Sequence, residues 1–199
     1  MNFITDILYW ISTGLLVPVV VLLIFFFFRA LLLIGSFFGQ YMMMRRTSSL
    51  ISKELDLLNK DNVRNLAEVL PKKNPSLAVI YINRLLTTDS LAMRQRLLSD
   101  YEIASDKEIS ISKTLIKMGP MLGLMGTLIP MGPALVGLST GDIASMAYNM
   151  QVAFSTTVIG LFSAAIGFIT LQAKQRWYLQ DLTNLEFIAE LLKENQEEK

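Results

Sequence analysis

Three long runs of apolar residues, each free of charged side chains, divide the chain. They lie at 9–28, 118–141 and 150–173. Each is long enough for a helix to cross the hydrocarbon core of a bilayer, which takes about 20 residues. The segment between the first and second runs is polar and charged. This pattern predicts an all-α integral membrane protein with three transmembrane helices, the second and third extended into a helical cytoplasmic domain.

The same pattern sets the expected segment boundaries. We expect a first transmembrane helix with a cytoplasmic extension at 1–44, a helical cytoplasmic domain at 45–113, a second transmembrane helix at 114–139, an external connector at 140–149, a third transmembrane helix at 150–173, and a cytoplasmic helical extension with an acidic tail at 174–199. Within 45–113, apolar residues at helical spacing and capping residues favour several short amphipathic helices. Their expected starts are Thr47, Asp61, Asn74, and Asp89 or Ser90.

The basic residues indicate which side of the membrane each segment faces. Thirteen Lys and Arg lie at 45–117, and Lys174 and Arg176 follow the third run, whereas the connector at 140–149 has none. Because cytoplasmic loops carry the excess of Lys and Arg, the N-terminus is expected outside and the C-terminus in the cytoplasm. The predicted location is the cytoplasmic (inner) cell membrane, which the chain crosses several times.

Glycines and prolines recur through the second run, from Gly119 to Gly137, at spacings of 4, 3, 4, 3 and 4 residues. That spacing places them on one stripe of a helix, and small residues let membrane helices approach closely. Since proline has no N–H, Pro130 and Pro133 free carbonyl groups one turn earlier. The positions predicted to kink or pack helices are Gly123, Gly126, Pro130, Pro133 and, in the third run, Gly160.

Hydroxyl side chains are the candidate polar groups inside the membrane. Thr127 is the only polar side chain between Lys117 and Ser139, and it adjoins the Gly126 carbonyl that Pro130 frees. Together they can hold a water or a small ion, or Thr127 simply bonds back into its own helix. In the third run, Thr156, Ser163 and Thr170 recur every seven residues. They either form hydrogen bonds that hold helices together or line a polar path.

Arg29 is the single charge that follows the first run, and the apolar pattern continues beyond it to Met44. Two interpretations stay open. Arg29 lies near the inner interface on a helix that runs on into the cytoplasm, or it is a buried functional cation that pairs with an acid of a partner.

Composition excludes most enzyme classes. The chain has no cysteine and no histidine, so disulfides, thiolate nucleophiles, Cys/His metal sites and Ser-His-Asp catalysis are ruled out. Its net charge of +1 gives no case for nucleic-acid binding. No phosphate-binding loop or dinucleotide motif occurs. We expect neither catalysis nor a metal or cofactor.

The second and third runs together resemble the MotA/TolQ/ExbB family of proton-channel (stator) subunits. GPMLGLMGT at 119–127 is similar to the family's APLLGLLGTV signature, and TVIGL at 157–161 is similar to its ATAIGL signature. The layout, with three spans and a large insert after the first, is also similar to TolQ and ExbB.

The resemblance implies a homopentamer around the transmembrane helices of a single-span partner of the MotB/TolR/ExbD type. That partner supplies a membrane aspartate that carries the proton. This chain agrees with such a division of labour, since its second and third runs contain no acid or base. By position, Thr127 and Thr157 are expected to face the pore, and Thr156 and Ser163 complete the candidate ion pathway.

The chain departs from the family pattern at two places. TolQ and ExbB usually carry a glutamate five residues before the third-span threonine, where this chain has Val152 beside Gln151. The small-proline step after the second signature is here Ile166-Gly167. These departures leave both protons and Na⁺ open as the conducted ion.

Two function classes follow from these observations. In the first, the chain is an ion-channel (stator) subunit that couples ion flow down the membrane gradient, and hence the proton motive force, to mechanical work or transport. The alternative is a non-conducting membrane scaffold that assembles through small-residue helix faces. A small-molecule transporter or membrane enzyme is disfavoured, because the membrane runs carry neither charge nor an inverted repeat.

Overall fold

The computed structural model describes residues 2–55, 63, 66, 70 and 76–197, and five helices are assigned within them. No strand occurs in those residues. In chain order the helices are α1 (Asn2–Gly14), α2 (Leu16–Leu55), α3 (Leu77–Thr87), α4 (Leu91–Ser139) and α5 (Ile143–Glu197). The chain is therefore all-α, as predicted.

Three helical stretches within the described residues are long and apolar enough to cross a membrane. They are Ile7–Met44, which includes most of α1 and α2, and stretches within α4 and α5. At ~1.5 Å per residue, the 55 residues of α5 extend about 80 Å, whereas a hydrocarbon core is about 30 Å thick. A bilayer therefore takes up less than half of this helix. This confirms three membrane-spanning helices, with the second and third extended beyond the span.

The first span is interrupted at Leu15, between α1 and α2. Pro18 has no N–H to donate to the carbonyl of Gly14, so the hydrogen-bond ladder lacks one rung there. The ladder continues on both sides, because Leu15 N–H donates to Ile11 at 3.1 Å and Val19 N–H donates to Leu15 at 3.1 Å. The interruption is therefore confined to a single residue.

Helix α4, by contrast, continues through Pro120, Pro130 and Pro133 without a break. It joins two segments that the sequence pattern treats separately, the end of the polar segment 45–113 and the second span. Pro130 is among the fully buried residues. Packing around the ring holds the helix together where the hydrogen-bond ladder alone is incomplete.

A tight turn joins α4 to α5. Gly141 has φ 75°, in the left-handed region that favours glycine. Asp142 caps α5, since its Oδ1 accepts from the N–H of Ser145 at 3.0 Å. The helix begins at Ile143, inside the segment 140–149 expected as a connector.

The chain forms two compact units. Unit 1 comprises Met1–Gly35 and Ile111–Leu171, and unit 2 comprises Ser36–Ser110 and Gln172–Lys199. The core of unit 1 consists of two apolar clusters between α2, α4 and α5. One is built on Ala30, Leu33, Leu115 and Ile166, and the other on Val19, Leu23 and Leu122.

Unit 2 has a single apolar core. Its buried members include Val79, Ile82 and Leu85 from α3, Leu97 and Tyr101 from α4, and Leu185, Ile188 and Leu192 from α5. Helix α3 begins after Ser76, whose Oγ accepts from the N–H of Val79 at 3.4 Å. The cap expected at Asn74 and the helix start expected at Asp61 lie outside the described residues.

Candidate functional site

Glycines bring α4 and α5 into backbone contact within unit 1. A Cβ built on Gly119 would lie 2.6 Å from the carbonyl oxygen of Gly160, and one on Gly160 would lie 2.5 Å from that of Gly119. Gly123 faces Thr157, whose Cα would lie 3.4 Å from a Cβ there. No larger residue fits at Gly119 or Gly160 without moving a helix, which is the close approach that small residues permit.

In unit 1 an open groove of about 610 Å³ runs along α4 and α5. The unit 1 groove contains both threonines that the family signatures single out. No charged side chain is among its lining residues. The lining consists of Pro120, Gly123, Leu124, Thr127, Phe154, Thr157, Val158 and Leu161.

Both groove threonines are half-buried and donate their hydroxyl protons to their own helices. Thr127 Oγ1 donates to the carbonyl of Leu124 at 2.7 Å, and Thr157 Oγ1 donates to that of Ala153 at 3.4 Å. A hydroxyl whose proton is engaged still offers oxygen lone pairs. The groove can therefore accept hydrogen bonds from water or from a protonated carboxyl group.

The rim of the groove is apolar and exposed. Leu124, Phe154, Val158 and Leu161 are each more than half exposed. In a bilayer such a rim suits either lipid tails or the apolar surface of another helix. The groove therefore combines two hydroxyls at its base with an apolar rim.

Thr156 and Ser163, the other two candidate pathway residues, are buried and lie outside the groove. Each hydroxyl donates into α5, that of Thr156 to Ala153 at 2.8 Å and that of Ser163 to Ile159 at 2.9 Å. Thr156 also packs on Gly126, where a Cβ would lie 2.6 Å from its Oγ1. Neither residue lines the groove.

Thr170, the third of the hydroxyl residues that recur every seven positions, bonds to a residue of another helix. Thr170 and Ser112, both buried, lie 3.1 Å apart through their hydroxyl oxygens. This line therefore faces the packing of α4 against α5. That arrangement is typical of hydroxyls that hold membrane helices together.

The kink positions divide between packing and the groove. Gly123 lines the groove, Gly126 and Gly160 are buried in the helix contact, Pro130 is fully buried and Pro133 is half-buried. Thr127 bonds back into its own helix, since its hydroxyl donates to the carbonyl of Leu124. Arg29 is exposed on α2, and Val152 does not line the groove.

Sequence reasoning missed a buried polar group in unit 2. Asp181 is only 4% exposed, and its Oδ2 accepts from the hydroxyl of Tyr101 at 3.4 Å. Burial raises the pKa of Asp181 to about 6, and the hydrogen bond from Tyr101 opposes that shift. The available signal was that Asp181 shares a helical stripe with Leu185, Ile188 and Leu192.

Comparison with known proteins identifies a family. The model of the family described as MotA/TolQ/ExbB proton channel family matches residues 82–186, which include both groove threonines. No curated protein and no solved structure matches the chain.

Proposed function

The chain belongs to the MotA/TolQ/ExbB proton channel family, and on that premise we propose that it is the ion-conducting (stator) subunit of a membrane complex. In this proposal, a homopentamer surrounds the transmembrane helices of a single-span partner. Proton flow down the membrane gradient then drives mechanical work or transport through that partner. The family is a channel class, and no catalytic reaction is part of the proposal.

The observation that carries this proposal is the groove at Thr127 and Thr157. Two signatures about 30 residues apart in sequence supply hydroxyls to one uncharged surface of unit 1. A polar pair on an otherwise apolar membrane surface suits contact with a polar group brought by another chain. We therefore assign the groove as the wall of the ion path.

The groove threonines have a specific role in this mechanism. Their oxygens accept hydrogen bonds from water or from a protonated carboxyl group of the partner, while their own protons stay bonded to the backbone. The remaining wall has no charge that would hold a cation tightly. A proton can therefore pass without being trapped.

Thr156 and Ser163 have a supporting role in this proposal. They set the spacing of α4 and α5 behind the groove, and their hydroxyls keep the groove wall rigid. The partner's membrane carboxylate carries the titratable step. We place the N-terminus outside and unit 2 in the cytoplasm, since 45–117 carries thirteen basic residues.

The test replaces both groove hydroxyls without changing side-chain shape. The complex that co-purifies with the chain is reconstituted in liposomes, and proton uptake under an imposed membrane potential is followed with a pH-sensitive dye. Thr127→Val with Thr157→Val is expected to reduce uptake at least tenfold while leaving the native mass of the complex unchanged. Replacing Na⁺ by choline in the same assay separates Na⁺ from protons.

Ser155→Ala is the matched control. Ser155 lies on the same helix, is exposed, and bonds to its own backbone at Gln151 at 2.8 Å, but it does not line the groove. Its loss should leave proton uptake unchanged. Full uptake by the double valine variant in an intact complex would contradict the channel assignment and favour the non-conducting scaffold.

A further inference from the structure

Unit 2 contains a cavity of about 310 Å³ with an unusual combination of linings. Two carboxylates, Asp181 and Glu108, border it together with the rings of Trp177 and Tyr178. Met43 and Ile80 are among its apolar lining residues. Acid and aromatic surfaces around one cavity are the ordinary elements of a site for organic cations.

Asp181 is the group that this cavity leaves without a cation. Asp181 is only 4% exposed, and the hydroxyl of Tyr101 donates to its Oδ2 at 3.4 Å. No Lys or Arg of the described residues forms an ion pair with it. A buried carboxylate of this kind is costly unless a proton or a cation neutralises it.

The other titratable groups around the cavity do not supply that cation. Glu108 is exposed and carries a like charge, and Lys174, whose charge interacts with Glu108, does not line the cavity. Burial raises the pKa of both Tyr101 and Tyr178, so both phenols stay neutral. The described residues of α2 and α3 at the cavity, and Ser76 directly before α3, have no titratable side chain.

We propose that this cavity binds a small primary-ammonium compound, with its ammonium group between Asp181 and Glu108 and its apolar body against Trp177 and Tyr178. The ammonium supplies the cation that Asp181 lacks, and the rings add cation–π attraction. The cavity lies at the small end of ligand sites, which holds a single ring or a short chain. The site is independent of the groove and of the ion path.

Trp177 provides a direct readout, because the only other tryptophan is Trp10. In a full-length Trp10→Phe chain at pH 7.5, fluorescence of Trp177 is titrated with 2-phenylethylammonium and with its uncharged analogue 2-phenylethanol. We expect a saturable change with the ammonium compound and an affinity at least tenfold weaker for the alcohol. Because a proton competes for Asp181, affinity should fall as the pH drops below about 6.

Variants assign the binding to the cavity. Asp181→Asn and Glu108→Gln should each weaken ammonium binding at least tenfold. Glu102→Gln, which removes an exposed carboxylate of α4 that does not line the cavity, should leave it unchanged. If Asp181→Asn fails to fold, Glu108→Gln still decides, because Glu108 is exposed.

Three results would overturn the proposal: no saturable change, equal affinity for the alcohol, or unchanged affinity in a folded Asp181→Asn or Glu108→Gln variant. Two sources of the ammonium are then separated with nanodiscs. If phosphatidylethanolamine but not phosphatidylglycerol nanodiscs weaken apparent binding of the probe, the natural ligand is a lipid headgroup. If neither does, it is a soluble amine.

Discussion

Gly160 fixes how closely α4 and α5 approach at the residue scale. A Cβ there would lie 2.5 Å from the carbonyl oxygen of Gly119, and a backbone atom in a packed helix cannot give way as a flexible side chain can. We expect Gly160→Ala to lower the free energy of unfolding by about 1–3 kcal/mol, the usual cost of overpacking. Denaturation in increasing SDS, followed by circular dichroism, measures it.

Gly132→Ala is the control for this prediction. A Cβ on Gly132 meets nothing within 4 Å, and the residue lies in α4, the helix that also contains Gly119. Since alanine favours helix over glycine by about 1 kcal/mol, this variant should be as stable as the parent or slightly more stable. Equal destabilisation of both variants would show that the stability loss in Gly160→Ala does not come from the close Gly119–Gly160 contact.

Asp181 makes stability depend on pH. Its pKa rises from 3.8 to about 6 on folding, so between these values the folded chain holds a proton that the unfolded chain has lost. The contribution of Asp181 to stability is therefore largest below about pH 4 and declines as pH rises to about 6, by roughly 3 kcal/mol for a shift of this size. Asp181→Asn should remove this decline.

The measurement compares slopes, because the amide changes stability at every pH. Unfolding of the parent and of Asp181→Asn is followed from pH 4 to 7, with Glu102→Gln as an exposed-carboxylate control. The stability of Asp181→Asn relative to the parent should rise between pH 4 and 6 and then level off. Parallel curves would mean that Asp181 keeps an ordinary pKa in the fold.

The sequence alone did not predict which way each hydroxyl side chain of the membrane spans faces. Thr127 and Thr157 were brought to one surface through the family signatures, and the structure places both in one groove. Whether Thr156 and Ser163 face a groove or another helix was not predictable. In a membrane span every face is apolar, so hydrophobic periodicity, which distinguishes core from water, carries no such information.

At the element scale, the all-α class and the three helices able to span a membrane followed from the apolar runs, whereas the ends of the helices did not. Pro18 interrupts its helix, while Pro120, Pro130 and Pro133 do not interrupt α4. The chemistry of proline is the same in all four cases. The difference depends on tertiary packing around each ring, as at the fully buried Pro130, and a single sequence does not contain it.

The start of α5 depends on its cap. Asp142 Oδ1 accepts from the N–H of Ser145 at 3.0 Å, directly after the left-handed Gly141. We expect Asp142→Ala to cost about 1 kcal/mol of stability, whereas Asp142→Asn, which caps equally well, should cost much less. The same SDS denaturation measures both variants. Similar losses for alanine and asparagine would assign the effect to charge instead of capping.

At the scale of the whole molecule, the chain lacks a group that can carry a proton through the membrane. The runs at 118–141 and 150–173 contain no acid or base. Hydroxyls such as Thr127 and Thr157 do not titrate near neutral pH. The proposed path is therefore complete only when a partner contributes a carboxylate.

The purified chain without its partner is expected to conduct no protons above the level of empty liposomes, even when correctly assembled. Native mass spectrometry in mild detergent checks assembly, for which a homopentamer is expected, and dye-reported proton uptake checks conduction in the same preparation. Adding the partner should then start uptake, and a partner whose membrane aspartate is replaced by asparagine should not.

Strong uptake by the pentamer alone would contradict this division of labour, because the path would then need no titratable group. A monomer or dimer that persists across detergents would instead remove the axial path that the groove is proposed to line.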